Sequence, residues 1–201
     1  MFKIQCFPLI LAMFSILTTA QDTAPATNNT LQPWEVTTVN TFSPSGRPGN
    51  PPYSYLYVSI SDPNTIPTGF NVRGDLSFPP IAANCTVMWN AYAEEPFGWV
   101  SPCPDTHFQS GRWTVEIQPQ NRTGYGPSAT RDFKLRFVLE RSMIVNNGIL
   151  SKTFVGVGAF SRADNNLDLV CGASGVCSSG LKVDKVLITQ ELTGSKLSGW
   201  N

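Results

Sequence analysis

The segment "DFKLRFVLER" at residues 132–141 constrains the fold more than any other stretch of the chain. A period of two is the pattern of an extended strand with one face buried and the other solvated, as in an antiparallel sheet. The segment therefore predicts a half-buried β-strand. Its buried side consists of Phe133, Leu135, Phe137 and Leu139, and its other side of Lys134, Arg136, Val138 and Glu140.

Short apolar runs separated by turn residues recur along the rest of the chain. None of them keeps a helical period over three turns, and 16 glycines and 16 prolines are available to break the chain between runs. Short strands punctuated in this way predict an all-β fold, either a single antiparallel β-barrel or a β-sandwich. The further candidate strands are "WEVTTV", "YSYLYVSI", "FNVRGDLSF", "NCTVMWNAY", "RWTVEIQ", "KTFVGVGAF" and "LKVDKVLITQEL".

The first 20 residues have the layout of a secretory signal peptide. Lys3 precedes an apolar run that ends near Leu17, and small residues at Thr18 and Ala20 predict cleavage after Ala20. The run is shorter than the roughly 20 residues of a spanning helix, so we expect a secreted, extracellular protein without a membrane span. The predicted organisation is a signal peptide at 1–20, a flexible leader at 21–33, one β domain at 34–192 and a loose tail at 193–201.

Charge argues against two classes of partner. The chain has 14 Lys and Arg and 14 Asp and Glu, and loss of Lys3 with the signal peptide leaves 13 against 14. Binding to nucleic acid or to an anionic membrane surface requires a basic face, and the sequence has no block of like charges. We therefore expect no nucleic-acid partner. A chain of this length also favours one domain.

The cysteines are the second constraint on the fold. Cys6 leaves with the signal peptide, and an even number in an oxidising compartment predicts two disulfides. A redox motif needs two residues between its cysteines, whereas "VCGASGVC" has five between them. A zinc site needs four ligands, but the chain has one histidine, and its cysteines come as two distant pairs. Sequence leaves three pairings open, of which nearest-neighbour pairing is the simplest. The four cysteines are Cys85, Cys103, Cys171 and Cys177.

Three sequons predict sites of N-glycosylation. Asn121 lies in a turn-rich stretch and is the best placed. Asn28 lies in the leader and is accessible. Asn84 lies within a candidate strand, where we expect the fold to hide it.

Three pairs of side chains were candidates for catalysis or metal binding, and each has a simpler interpretation. Adjacent residues such as Glu94 and Glu95 point apart on an extended chain, whereas glycoside hydrolysis needs carboxylates facing across a cleft. The pair Asp105 and His107 lacks a nucleophile motif. The segment "ADNNLD" fails the spacing of a calcium loop. We therefore predict a protein that is not an enzyme and has no cofactor or metal.

Two loops are candidates for binding. Phe97 and Trp99 lie in "EEPFGWVSPCP", a loop held by Cys103, and rigid aromatic side chains bind at a low cost in entropy. The alternative, that Trp99 plugs the end of the barrel, is the one we favour. Arg47 in "SPSGRPGNPPY" is the other surface candidate.

The order of these features resembles the major-allergen family of the fungus Alternaria, small secreted proteins of fungi. The resemblance covers residues 34–192 as order and spacing: a first strand "WEVTTV", a first cysteine in "NCTVMW", a segment "GWVSPC", and a late cysteine pair before "VCSSGLKVDKVLITQ". It implies a β-barrel with disulfides paired in sequence order. Members that dimerise covalently use a further cysteine near the mature N-terminus, which this chain lacks, so we expect a monomer or a non-covalent dimer.

The family resemblance implies an allergen-like effector that acts on a host extracellular protein or binds a small apolar ligand. We therefore expect a secreted fungal binding protein without catalytic activity. A secreted hydrolase with loop carboxylates and a cell-wall or small-ligand-binding protein are the alternatives. The scarcity of histidine argues against the hydrolase, and the many large side chains expected inside argue against a ligand-filled barrel.

Overall fold

The computed structural model describes residues 31–71, 74–104, 111–146 and 148–199, and this part of the chain is all-β. The prediction of an all-β fold is confirmed. The strands are β1 Trp34–Ser43, β2 Tyr53–Asp62, β3 Ile66–Asn71, β4 Gly74–Phe78, β5 Ile81–Asn90, β6 Val100–Pro102, β7 Arg112–Pro119, β8 Asp132–Val145, β9 Gly148–Ser161, β10 Leu167–Cys171, β11 Cys177–Leu181, β12 Val186–Ile188 and β13 Gln190–Gly199.

Two antiparallel sheets form a sandwich. The six-stranded sheet has the order β10-β11-β1-β2-β5, with β12 paired to the start of β1, and the five-stranded sheet has the order β13-β9-β8-β7-β6. A separate hairpin is formed by β3 and β4. The sheets do not close into a barrel among the described residues, so of the two predicted architectures the sandwich is correct and the barrel implied by the family resemblance is not.

The core lies between the inward faces of the two sheets. Trp34 of the first sheet meets Trp113 of the second edge to face, with ring centroids 4.6 Å apart, and Trp113 in turn contacts Phe137. Edge-to-face aromatic pairs of this kind add to the free energy gained by burial alone. The alternation of "DFKLRFVLER" is confirmed, because its four apolar side chains are fully buried.

Two glycines of β9 allow the sheets to approach each other. A Cβ atom at Gly158 would lie 2.7 Å from the side chain of Ile188, and one at Gly156 would lie 2.9 Å from the same side chain and 3.0 Å from the indole of Trp34. Since real Cβ atoms cannot approach so closely, the "GVG" of "KTFVGVGAF" makes room for the bulky residues of the opposite sheet.

One ion pair is buried inside the sandwich. Arg141 of β8 is fully buried and contacts the buried carboxylate of Asp62 at 3.5 Å, while its guanidinium also donates to the carbonyl of Pro79 and lies over the ring of Phe78. Burial lowers the pKa of Arg141, and the Asp62 carboxylate partly opposes this effect.

Both disulfides join neighbours in sequence order. Cys85–Cys103 is buried and connects β5, at the edge of one sheet, to the chain just after β6, at the edge of the other. Cys171–Cys177 joins the facing ends of β10 and β11. Two disulfides in a small β protein are consistent with an extracellular, oxidising location. Because all four cysteines are paired internally, none of them is left for a bridge between chains.

Two candidate strands are divided in the structure, and β6, β10 and most of β11 were not among the predicted strands. The predicted strand "FNVRGDLSF" belongs to a hairpin, with β3 extending further back to Ile66. The segment "LKVDKVLITQEL" changes sheets at Thr189, where β12 of one sheet ends and β13 of the other follows.

The tail predicted to be loose forms most of β13, which pairs with β9 as far as Gly199. Its side chains are mostly exposed, so backbone hydrogen bonds hold this strand in place, and no apolar pattern in the sequence predicts it. The last residues of the predicted leader are also fixed, because the N–H of Gln32 donates to Asn64. In the part of the chain that the structure describes, no helix is long and apolar enough to cross a membrane.

Candidate binding surface

The outer face of the six-stranded sheet carries a cluster of aromatic and apolar side chains. Every second residue of β2 faces the core, so the residues between them, among which are Tyr53, Tyr55 and Tyr57, face outward. Tyr53 is 50% exposed, Tyr55 is 38% exposed and Met88 of the neighbouring β5 is 59% exposed. We call this surface, formed by Phe42, Tyr53, Tyr55, Tyr57 and Met88, the aromatic face.

A continuous row crosses three strands at the centre of the aromatic face. Tyr55 lies opposite Phe42 of β1 on one side and opposite Met88 of β5 on the other. The rings of Phe42 and Tyr55 stack with centroids 5.4 Å apart and planes 13° apart. Contiguous exposed apolar patches are common at interaction sites, and tyrosine provides contact area at a low cost in conformational entropy.

A groove runs along β11 beside the aromatic face. The register places Gly180 of β11 between Asp168 of β10 and Asn40 of β1, and the next row has Ser178 in the same position. Small residues on β11 between larger neighbours leave a cavity of about 450 Å³. We call this cavity the β11 groove: its floor is Ser178 and Gly180, one wall is Asp168 and Val170, and the other wall is Asn40 and Tyr55.

The β11 groove rests on a fixed support. The Cys171–Cys177 disulfide holds the β10–β11 hairpin at its turn, so the wall from β10 is tied to the floor from β11. From inside the sandwich, Ser179 donates to the carbonyl of Thr130 at 2.9 Å, and Thr41 donates to the same carbonyl at 2.8 Å. The stretch "VCGASGVC" is therefore a staple that holds one wall of a surface groove.

The six-stranded sheet carries few charges. Its strands contain three acidic residues and no Lys or Arg. Asp62 is buried in the ion pair with Arg141, and Glu35 is paired with Lys185 at 2.6 Å. Asp168 in the wall of the β11 groove is the remaining charge on these strands, so this face is weakly acidic.

A second, smaller depression of about 210 Å³ lies on the same face, toward the other end of β2. Small side chains line it, among them Ser61 and Ala82. The hydroxyl of Ser59 lies 2.7 Å from the side-chain oxygen of Asn84 and 3.4 Å from the hydroxyl of Tyr57. The expectation that the fold hides Asn84 is wrong, because the outward position of this residue in β5 leaves it exposed.

A third cavity, of about 180 Å³, lies between the loop before β8 and the strands β10 and β11. Asp132 lines it, and one of its oxygens accepts hydrogen bonds from the N–H of Arg122 and from the N–H and hydroxyl of Thr123. Burial by itself raises the pKa of Asp132, but these hydrogen bonds outweigh it and the pKa lies below its usual value. This carboxylate anchors the loop.

The aromatic residues predicted for one binding loop, Phe97 and Trp99, differ in burial. Phe97 packs against the core, whereas Trp99 is 52% exposed, so the expectation that Trp99 plugs the end of the fold is wrong and Phe97 takes the inward position. Arg47 is exposed in the loop between β1 and β2. A Cβ atom on the adjacent Gly46 would lie 3.7 Å from the ring of Tyr92, so this loop borders the start of the loop that follows β5.

Two of the carboxylates considered for catalysis or metal binding, Glu95 and Asp164, have structural partners. Glu95 accepts a hydrogen bond from the N–H of Ala129 and so ties two loops together. Asp164 accepts from Ser161 and Gln120 and pairs with Arg122 at 3.5 Å. No group of three potential metal ligands occurs among the described residues. Asp105 and His107 lie outside them.

Among the other sequons, Asn121 is exposed in the loop after β7, and its side-chain oxygen accepts from the N–H of Gly126 at 3.2 Å. Asn28 lies outside the described residues. Glycosylation at each sequon stays a prediction.

Sequence reasoning missed the aromatic face and the β11 groove. The segment "YSYLYVSI" was predicted as a strand, but no role was assigned to its outward residues. An outward row of tyrosines was the available signal, since a solvated face has no need of large rings. The groove had no signal in the sequence, because it depends on which strands flank β11.

Comparison of the chain with protein-family models, with curated proteins and with solved structures finds no match. The functional argument therefore depends on the surface described above.

Proposed function

We propose that this protein is secreted by a fungus and works outside the cell as a binding protein without catalytic activity, in the manner of the allergen-like effectors that it resembles. Its binding surface is the aromatic face with the adjoining β11 groove. The signal-peptide layout of residues 1–20 and the two disulfides support an extracellular location.

One observation carries the proposal. The outer face of the six-stranded sheet exposes Tyr53, Tyr55 and Met88 in one patch, and that patch borders a groove with a fixed wall. Rigid aromatic anchors next to a pre-formed concavity are the usual make-up of a binding site. Glu95, one of the carboxylates considered for glycoside hydrolysis, is instead engaged with loop backbone, which supports binding over catalysis.

Hydroxyl-radical footprinting tests the location of the site without knowledge of the ligand. The oxidised protein is labelled alone and in the presence of host extracellular fluid and of solubilised cell-wall material. We expect Met88 and Tyr55 to become protected, while Tyr125, which is 95% exposed in the loop before β8, stays reactive. Unchanged reactivity at every exposed aromatic residue and methionine would overturn the proposed function.

A second candidate surface is favoured by the exposure of Trp99. It lies next to Val100, which is 60% exposed in the edge strand β6. An aromatic residue beside an exposed apolar residue on a sheet edge suits docking to a host protein. Protection of Trp99 in place of Tyr55 in the same footprint would assign the function to this surface.

A further inference from the structure

We propose that the β11 groove binds one chain of an uncharged glycan. This inference rests on the proposed function, because it names the ligand class of the same surface. A sugar ring presents two kinds of surface: a face of C–H groups that packs on aromatic rings, and a rim of hydroxyls that both donate and accept hydrogen bonds. A glycan site therefore needs an aromatic wall and polar side chains along one path.

The aromatic wall is supplied by Tyr55. This residue lines the groove, and its ring stacks on that of Phe42 in the neighbouring strand β1. Tyrosine also has a hydroxyl at its tip, so one side chain offers both an apolar surface and a hydrogen-bonding group.

The polar partners lie on both sides of the floor. The side-chain oxygen of Asn40 lies 3.7 Å from the position of a Cβ atom built on Gly180, so this amide reaches the edge of the groove floor. Asp168 lines the opposite wall and Ser178 the floor. Within the described part of the chain, neither the Asn40 amide nor the Asp168 carboxylate is engaged by another protein group. An amide and a carboxylate on opposite walls suit a ligand with hydroxyls on both edges.

The width of the groove favours a glycan over a peptide helix. Across Gly180 the walls are Asp168 of β10 and Asn40 of β1, which are separated by β11, and two strand spacings amount to about 10 Å between backbones. A helix with its side chains is already about 10 to 12 Å across, and the walls carry side chains of their own. A single chain of sugar rings fits this space.

Charge selects among glycans. The strands that form this face carry no Lys or Arg, and Asp168 would lie directly beside the ligand. An acidic polysaccharide would place its carboxylates or sulfates against Asp168 without a compensating cation, and this repulsion disfavours it. A neutral glycan supplies hydroxyl donors to the same carboxylate and pays no such cost.

Glycine provides a matched pair of variants for the test. In Gly180→Val the new Cβ atom meets only ordinary contacts and the backbone is not in the left-handed region, so the side chain fills the groove without disturbing the strand. Gly194→Val is equally accommodated in β13 of the other sheet, where the nearest atom lies 3.6 Å away. Valine is favourable in strands, so both variants should fold.

The experiment is affinity electrophoresis in native gels that contain soluble β-glucan, mannan, xylan or the acidic polygalacturonate. We expect at least one neutral polymer to retard the wild-type protein and polygalacturonate to leave it unretarded. Gly180→Val and Tyr55→Ala should weaken the retardation by about tenfold or more, while Gly194→Val behaves as wild type. Thermal unfolding of each variant verifies that it is folded.

The outcomes separate this inference from the proposed function. Failure of every neutral polymer to retard the protein, or equal retardation of Gly180→Val and wild type, would overturn the glycan inference. If host extracellular proteins then protect Tyr55 in the footprint, the aromatic face remains the binding surface with a protein ligand. If neither glycans nor proteins protect any residue, both proposals fail. Retention by polygalacturonate would contradict the charge argument.

Discussion

The two outer faces of the sandwich differ in how they meet solvent. Both sheets bury apolar side chains inward, yet the strands of the six-stranded sheet contain three charged residues, whereas those of the five-stranded sheet contain ten. Asp132 and Arg141 of the ten are buried, as is Asp62 of the three, so eight charges against two remain outside the core. The ten are Arg112, Glu116, Asp132, Lys134, Arg136, Glu140, Arg141, Lys152, Glu191 and Lys196. A face that needs only solubility carries charges, so the tyrosines of the other face call for a different reason.

The ion pairs of the five-stranded sheet support this interpretation. Arg112–Glu140 is exposed, and Arg136–Glu116 is exposed in part, and both join directly opposite residues of neighbouring strands. Pairs of this kind contribute about 0 to 1 kcal/mol to stability because water screens them. They are therefore typical of a solvated surface, and this difference supports the proposal that binding occurs on the other face.

The largest expected effect comes from the one cation of this sheet that points inward. Replacing Arg141 by Met leaves the buried Asp62 without its counter-charge, and removing one partner of a buried pair costs about 3 to 5 kcal/mol. Urea unfolding measures this loss. Arg136→Met, on the outer face of the same strand, should cost less than about 1 kcal/mol.

A second substitution shows whether the loss comes from the unpaired charge. Adding Asp62→Asn to Arg141→Met should recover part of the stability, since no charge is then left buried. Equal destabilisation by Arg136→Met and Arg141→Met would mean that the inward and outward charges of this sheet do not differ as the comparison requires.

The inward pattern of the sandwich was predictable, and its outer surfaces were not. Alternation in "DFKLRFVLER" identified Phe133 and Leu139 as core because burial repeats every second residue along one strand. Arg141 escaped the same reasoning: it continues the inward phase but is charged, and only the buried Asp62 explains its position. Its partner is 79 residues away in sequence, and a local pattern cannot identify so distant a partner.

The β11 groove shows the same limit. Asp168, Gly180 and Asn40 come together because β11 pairs with both β10 and β1, a register that joins the first strand to residues about 140 positions later. By contrast, the disulfides follow the simplest of the three pairings that the sequence left open, in which each disulfide closes a short local loop. The resemblance to a barrel family led to the wrong prediction of a closed barrel, because strand order and spacing do not specify whether the edges of two sheets pair.

The disulfides give the next largest effects and sharpen the comparison. The loop-closure model assigns about 3 kcal/mol to Cys85–Cys103 and about 2 kcal/mol to the shorter Cys171–Cys177 loop. We expect the Cys171→Ser, Cys177→Ser variant to lose less stability but more glycan binding, because it loosens the β10 wall of the groove. Cys85→Ala, Cys103→Ala should show the reverse. Unfolding and affinity electrophoresis measure the two effects, and parallel losses in both variants would contradict the assigned roles.

Acid pH gives a test with a smaller expected effect. It concerns Asp132, which lines the cavity between the loop before β8 and the strands β10 and β11. The folded pKa of Asp132 lies below its unfolded value of about 3.9, so the stability it contributes is present above that pH and is lost as the pH falls through the folded value. Asp132→Asn should cost about 1 kcal/mol at neutral pH. It should also flatten the acid side of the stability profile.

Glycan binding measured at neutral pH should stay unchanged in Asp132→Asn, because this residue anchors a loop and does not line the β11 groove. If Asp132→Asn lost as much stability as the wild type between neutral and acid pH, Asp132 would not titrate as its hydrogen bonds require. A variant that lost binding would place Asp132 in the binding surface.

The smallest expected effect concerns a sugar that the protein itself carries. Asn84 is exposed beside Ser59 and near the hydroxyl of Tyr57, so an N-glycan on its sequon would stand on the face that we propose for binding. Material with an occupied Asn84 should bind added glycan a few-fold more weakly than Asn84→Gln, because the attached chain occupies part of the surface. Asn121→Gln, in the loop after β7, should change nothing.

Mass spectrometry of the secreted protein, followed by affinity electrophoresis of both variants, decides this point. If occupied Asn84 leaves binding unaffected, the ligand does not extend from the β11 groove toward Ser59, and the site is confined to the groove and Tyr55. Weaker binding that is restored by Asn84→Gln would extend the site along β2 and make glycosylation a limit on how much of the aromatic face the mature protein uses.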